Sequence, residues 1–205
     1  MNVLVVDDHV MIRKGLMRML EELDEPYETE VLDYATTMKA PAYRALNPMG
    51  KVPTLVHDGR VVTEVAAIIT YLADAFPQAG LMGDDRAAFY RWMFFGAGPL
   101  EYAIVNRALK VDIQPEQSGF VGYGTWERTI DTLHDTLATR DFLAGGRFSA
   151  VDLYLGSQIG YGLQFGTVPD RPAFTAYWDR MKDRPARLRA AAIDDALLAQ
   201  AANHG

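Results

Sequence analysis

The sequence predicts a two-domain chain in which a small α/β domain precedes an all-helical domain. Strand and helix patterns alternate up to residue 76, first as βαβ and then as ββα, which is typical of a four-stranded mixed sheet with helices packed on it. A proline- and glycine-containing break follows. Beyond it, apolar residues recur only at helical spacing. We therefore expect domains over residues 1–76 and 85–205, joined by a linker at 77–84.

Local patterns justify the elements of the α/β domain. Short β-branched runs bounded by turn residues predict strands, and apolar residues three or four apart predict helices. Asp58-Gly59 predicts a tight hairpin because both positions tolerate a positive φ. The predicted strands are 3–6, 27–32, 52–57 and 60–63, and the predicted helices are 10–23, a short one within 33–47, and 64–76.

The helical domain has its own start and stop signals. A long helix is predicted from about residue 84 to 109, bent at Pro99 because proline removes one backbone hydrogen bond. Ser149 and Asp152 have the spacing of a capping box, which predicts a helix after them. Further helices are predicted at 124–140, 172–183 and 185–200.

Composition excludes several classes of function. The chain is 49% hydrophobic and 23% charged, as soluble globular proteins are. Its net charge of -7 argues against nucleic acid or an anionic membrane as a partner. No apolar run approaches the ~20 residues of a membrane span, and we expect no secretion signal. The absence of cysteine excludes disulfides and catalysis by a protein thiol. We predict a cytoplasmic protein.

The most informative segment is Asn47–Leu55, followed by Thr63-Glu64 at the start of an apolar helix. Pro53 has no N–H and adopts the cis peptide at low cost. A cis Val52-Pro53 bond would present the Val52 backbone to a peptide-like ligand as though it were an extra strand. The helix after Glu64 would offer its free N–H groups to an acid.

Four segments together, spread over residues from about 21 to 200, resemble a bacterial glutathione transferase. They are Leu20–Tyr27, Asn47–Leu55, Thr63–Leu72 and Phe148–Tyr154. The resemblance implies a thioredoxin-like N-terminal domain, an all-α C-terminal domain and a homodimer, for which an apolar strip on helix 64–76 would be suited. It also implies that glutathione is the substrate and is conjugated to a small electrophile, and no metal is expected.

The resemblance also implies a glutathione site. Val52, ahead of Pro53, would pair with the cysteinyl backbone, and Glu64 would meet the γ-glutamyl ammonium. The family's small, commonly polar residue at position 65 is replaced by Val65, and one lost hydrogen bond would weaken binding by ~0.5–1.5 kcal/mol. Lys51 could approach the glycyl carboxylate. The alternatives are that Pro53 and Glu64 are structural and that Lys51 is a solvated loop charge.

A second-substrate pocket would be lined by the long helix after the linker. Its possible lining residues are Phe94, Phe95, Tyr102, Asn106 and Tyr123, of which Phe95, Tyr102 and Asn106 are the candidates chosen. The alternative for such aromatic residues at helical spacing is a place in the core.

The thiol-activating position departs from the family. There a Ser, Tyr or Cys after the first strand ionises glutathione, whereas residues 7–13 contain none of these and no threonine. Asp7 and Asp8 would raise the thiol pKa by like-charge repulsion. His9 is the candidate catalytic base, with Arg13 as a source of positive charge. The alternative is that His9 is a loop residue without a catalytic role, so whether the chain is an enzyme stays open.

Residues 2–20 resemble a different family, the receiver domains of response regulators. Asn2–His9 matches their first strand and acidic pair, and Arg13–Leu20 matches their first helix. Asp58 lies near phosphoacceptor spacing but in a hairpin turn, so we expect no phosphoacceptor chemistry. A chimera with its junction at 16–20 is one hypothesis. The sequence therefore leaves two functions open: an active glutathione transferase, or a catalytically impaired scaffold of transferase fold with a receiver-derived first βα element.

Overall fold

The computed structural model describes the backbone of residues 10–202 and the side chains of residues 16–197 and 199. The chain divides into two compact units. One unit contains the residues up to Ala79 together with those from Asp183 onward, and the other runs from Gly80 to Lys182. The last helix thus belongs to the same unit as the first, while the linker at 77–84 stays a prediction.

The described chain is mostly helical. Its helices are α1 (Val10–Leu23), α2 (Pro41–Leu46), α3 (Val65–Ala75), α4 (Arg86–Phe95), α5 (Glu101–Ala108), α6 (Trp126–Leu137), α7 (Ala150–Phe165), α8 (Pro172–Asp179) and α9 (Pro185–Ala202). Its strands are β1 (Thr54–His57) and β2 (Arg60–Thr63). No helix within residues 10–202 is both long enough and apolar enough to cross a membrane.

The strands form the predicted hairpin. They are antiparallel, His57 pairs with Arg60, and the turn residues Asp58 and Gly59 have φ of 49° and 74°. β1 starts at Thr54, two residues later than predicted, since Pro53 has no N–H to donate. The predicted strand at 27–32 is not assigned as strand, and the one at 3–6 lies outside the described residues, so the four-stranded sheet stays a prediction.

The first unit is built around α1. Its apolar face is buried beside α3 and α9 through Leu16, Met19 and Leu20. Arg184, the residue directly before α9, donates two hydrogen bonds of 2.8 Å to the carboxylate of Glu22, which lies near the C-terminal end of α1. Such paired hydrogen bonds fix the angle between two groups as well as their distance. The last helix is thus anchored to the first by charge as well as by apolar packing.

A second anchor lies one residue earlier on α1. Arg189 Nε donates to the Glu21 carboxylate over 2.7 Å, and the Tyr27 hydroxyl donates to its other oxygen over 2.7 Å. Burial and the Glu21 carboxylate raise the pKa of Tyr27, which keeps the hydroxyl protonated as a donor.

In the second unit, the long helix predicted at 84–109 is interrupted. A π-helical turn, Gly96–Leu100, separates α4 from α5. It contains Pro99, which cannot donate an α-helical hydrogen bond. Gly96 lies close against α7, where an added Cβ would be 2.8 Å from Tyr154 Cε1. The predicted bend is therefore a local change of helix type.

Helix α7 is buried on nearly all sides, and its start is fixed by the predicted capping box. The Asp152 carboxylate is fully buried and accepts four hydrogen bonds. The donors are Ser149 N (2.8 Å), Ser149 Oγ (2.7 Å), Leu143 N (2.7 Å) and the Tyr177 hydroxyl (2.7 Å). Burial raises the pKa of Asp152, and the hydrogen bonds offset part of that effect. One carboxylate therefore links the loop before α7 to α8.

Candidate functional site

The hairpin register brings the predicted glutathione residues to one corner of the first unit. Thr54 and Thr63 are paired at the open end of the hairpin. The next residues outward are therefore Pro53 on one side and Glu64 on the other, with Val52 beyond Pro53. Pro53 is buried, Val52 is half-buried and Glu64 is exposed. The Val52–Pro53 peptide bond is cis, as the sequence predicted.

Glu64 has an unusual backbone conformation. It precedes the first residue of α3 with φ of 71° and ψ of 124°, a region that favours glycine. A residue with a side chain is held there at a cost of about 1–3 kcal/mol. Its side chain makes no capping hydrogen bond to the helix. The conformation therefore leaves an exposed carboxylate beside a helix start that it does not cap.

The start of α3 is suited to an acid. The first N–H groups of a helix have no partner within it, and they lie at the positive end of the helix dipole. No acidic residue occupies the first turn of α3. Val65 is half-buried there and offers no side-chain hydrogen bond. An acid at this point would be bound by backbone groups alone.

Four polar groups beneath the corner were not predicted as a set. The Lys51 carbonyl accepts hydrogen bonds from the Tyr43 hydroxyl over 2.6 Å and from Asn47 Nδ2 over 2.7 Å. Tyr43 also bonds Thr54 Oγ1 over 2.7 Å. Tyr43, Asn47 and Thr54 are each at most 4% exposed. Asn47, Lys51 and Thr54 lie in the informative segment Asn47–Leu55, whereas Tyr43 lies before it and carried no sequence signal.

Basic side chains gather at the same loop. Lys39 Nζ donates to the Gly50 carbonyl over 2.6 Å, and an added Cβ on Gly50 would lie 3.5 Å from Arg44 Nε. Lys51 follows and is exposed. Sequence reasoning singled out Lys51 but missed Lys39 and Arg44, which precede the loop in the chain. In a protein of net charge -7, this concentration of positive charge favours a carboxylate ligand.

The candidate second-substrate residues lie in the second unit. Phe95, at the end of α4, packs edge-to-face on Trp92 with ring centroids 5.1 Å apart. Tyr102 on α5 is 63% exposed. Asn106 Nδ2 donates to the Tyr123 hydroxyl over 3.1 Å. The structure thus joins two of the possible lining residues, Asn106 and Tyr123, while Phe95 makes a core-like contact.

The side chains predicted to lie near the glutathione thiol are not described by the structure. His9, the candidate base, lies outside the described residues, as do Asp7 and Asp8. Arg13 is in the first turn of α1, and its side chain is not described. Within the part of the chain whose side chains are described, no three His, Asp or Glu residues form a group that could hold a metal ion.

Two family models match the chain in order. Residues 16–75 match the glutathione S-transferase N-terminal domain, and residues 124–185 match the glutathione S-transferase C-terminal domain. The first match begins at residue 16, inside the receiver-like segment 2–20.

Individual relatives point to the same family as these two matches. The chain is 31% identical over 194 residues to glutathione S-transferase GST-4.5 of Xanthomonas campestris, covering 85% of this chain and 86% of that protein. It is 31% identical over 161 residues to maleylacetoacetate isomerase of Pseudomonas aeruginosa, covering 75% and 73%. A sphingomonad glutathione S-transferase complexed with glutathione superposes with a TM-score of 0.72 at 27% identity, covering 95% and 99%. On these matches, the chain belongs to the glutathione S-transferase family.

Proposed function

We propose that this protein binds glutathione at the corner formed by Lys51, Val52, Pro53 and Glu64, and conjugates it through its sulfur to a small electrophile. The observation that carries the proposal is the hairpin register: Thr54 pairs with Thr63, so Pro53 and Glu64 are the next residues outward at the same end of the hairpin. A sphingomonad relative of similar fold is described as complexed with glutathione, which supports the choice of ligand.

Each charged group of glutathione has a matching partner at this corner. The Glu64 carboxylate suits the γ-glutamyl ammonium, and the start of α3 suits the γ-glutamyl carboxylate. Lys51, with Lys39 and Arg44 nearby, suits the glycyl carboxylate. Val52 offers backbone groups to the cysteinyl residue.

The chemical step needs a proton acceptor and an electrophilic carbon. The glutathione S–H loses its proton, sulfur bonds to that carbon, and either a leaving group departs or a carbon–carbon double bond takes up the proton. We propose His9 as the base. The impaired scaffold with a receiver-derived first βα element remains the competing hypothesis, and none of the relatives supports it. It predicts a chain that does not turn over.

Calorimetric titration with glutathione, followed by an assay with a chromogenic electrophile, tests the function. We expect saturable binding and conjugation that falls sharply in His9→Ala. Binding without turnover would support the impaired scaffold, and no binding would overturn the proposed function.

Replacing Val65 by serine should tighten glutathione binding. A hydroxyl at the first position of α3 can reach the acid that the backbone N–H groups bind, and one such hydrogen bond is worth about 0.5–1.5 kcal/mol. We expect the Kd for glutathione to fall roughly two- to tenfold in Val65→Ser. Val65→Ala is the matched control, since it shortens the side chain without adding a donor. Equal affinity of the two variants would contradict the assignment of this helix start.

We also propose a homodimer, with the cytoplasm as its location. Along α3, whose side chains are all described, no large apolar side chain is exposed, so the apolar strip expected there is absent. Helices α4 and α5, with Leu109 directly after α5, instead expose large apolar side chains: Tyr90, Phe94, Tyr102, Val105 and Leu109. Apolar surface of this kind marks an interaction site.

A charge placed on that surface should dissociate the dimer. Phe94 is 71% exposed, so Phe94→Asp should fold normally and sediment as a monomer, whereas the wild type should sediment as a dimer. Phe120, 90% exposed on a loop, provides the control. Phe120→Asp should leave the dimer intact. A monomeric wild type would overturn the dimer proposal.

A further inference from the structure

We propose that Tyr43, Asn47 and Thr54 are positioning residues that fix the Lys51–Val52 peptide plane so that the Val52 N–H faces the ligand. The inference rests on the proposed glutathione site and deepens it, because it explains how a backbone donor at that site is oriented. None of the three side chains needs to touch the ligand.

The hydroxyl and amide protons of these three side chains are all donated within one network that includes the Lys51 carbonyl. The Tyr43 hydroxyl has one proton and donates it to the Lys51 carbonyl over 2.6 Å. The 2.7 Å bond between Tyr43 and Thr54 must then carry the Thr54 proton toward Tyr43. Asn47 Nδ2 donates its two protons, one to the Lys51 carbonyl oxygen at 2.7 Å and one to Thr54 Oγ1 at 3.4 Å. Every proton is used, so the arrangement has one consistent direction.

The orientation of Val52 follows from peptide geometry. In a planar trans peptide unit the carbonyl of one residue and the N–H of the next point in opposite directions. The Lys51 carbonyl points into the buried network, so the Val52 N–H points away from it. A donor aimed outward beside Pro53 is what an extended peptide needs in order to pair as an added strand. The ligand group that it fits is a peptide carbonyl.

Apolar packing holds the same residue from another side. The Val52 side chain packs on a buried cluster of Leu32, Met38 and Tyr43. Tyr43 therefore contributes its ring to that cluster and its hydroxyl to the network. Phenylalanine at position 43 would keep the ring and remove only the hydroxyl, which separates the two roles.

The first test compares Tyr43→Phe with the wild type. We expect the Kd for glutathione to rise roughly three- to tenfold, while the KM for the electrophile stays unchanged. Backbone hydrogen exchange at Val52 should slow on adding glutathione in the wild type, and slow less in the variant. Tyr34→Phe is the control, because Tyr34 is 53% exposed and its ring meets Lys39 rather than the network. Its affinity should not change.

A second pair of variants guards against a general loss of stability. Thr54→Val removes the hydroxyl at nearly constant volume, and Thr54→Ser keeps it. We expect Thr54→Val to weaken glutathione binding as Tyr43→Phe does, and Thr54→Ser to restore most of the affinity. Unchanged affinity in Tyr43→Phe and Thr54→Val, in a wild type that binds glutathione, would overturn the inference. Failure of the wild type to bind would instead overturn the proposed function.

Discussion

Asp152→Ala is expected to lower the free energy of unfolding by about 3–5 kcal/mol. Its carboxylate is fully buried and accepts hydrogen bonds from Ser149 N and Oγ, Leu143 N and the Tyr177 hydroxyl. Removing it leaves four buried donors without this acceptor and opens a cavity, and each unsatisfied group costs about 1–3 kcal/mol before relaxation. Urea denaturation followed by tryptophan fluorescence measures the loss.

The control for this variant is another aspartate of the same unit. Asp131 on α6 pairs with Arg171 over 2.6 Å, but its side chain is 54% exposed. Asp131→Ala should cost less than about 1 kcal/mol, as surface ion pairs do. If the two alanine variants were equally stable, the buried carboxylate would not be the structural centre of the loop before α7.

Glu64→Gly is expected to bind glutathione much more weakly and to be more stable. The variant loses the carboxylate proposed for the γ-glutamyl ammonium, so the Kd should rise roughly tenfold to a hundredfold. It also relieves a backbone held at φ of 71°, which should add about 1 kcal/mol to the free energy of unfolding. Calorimetric titration and urea denaturation measure the two effects separately.

Two further variants separate charge from backbone strain. Glu64→Ala should lose affinity to a similar extent without the gain in stability. Lys110, at φ of 56°, lies after α5 in the other unit, so Lys110→Gly should gain stability without changing affinity. A Glu64→Gly protein no more stable than the Glu64→Ala protein would show that this backbone conformation carries no strain.

Features determined by neighbouring residues were predictable from the sequence. Asp58-Gly59 supplies two adjacent positions that accept a positive φ, and the hairpin is there. Ser149 and Asp152 form their capping box because the interaction spans one helical turn. The Val52-Pro53 corner was found because proline marks it in the sequence.

Features that depend on contacts between residues far apart in the chain were not predictable from the sequence. Tyr43 meets Lys51 and Thr54 only after the loop between them folds back, and a tyrosine in a short helix gives no sign of that role. Within the described residues, the segment 27–32 is not a strand, and strand pairing is something that no single run of residues determines. The thiol end of the candidate site, residues 7–9, lies outside the described residues, so the sequence prediction there stands untested.

The pairing of α1 with α9 has a consequence for synthesis on the ribosome. The first compact unit is interrupted in sequence by the whole of the second. When residues 80–182 have emerged, the second unit has all its segments, but α1 still lacks Arg184 and Arg189 as partners for Glu22 and Glu21. Domains usually fold in the order in which they are translated. Here the unit that begins first is completed last, because its α9 segment follows the whole of the second unit in the chain.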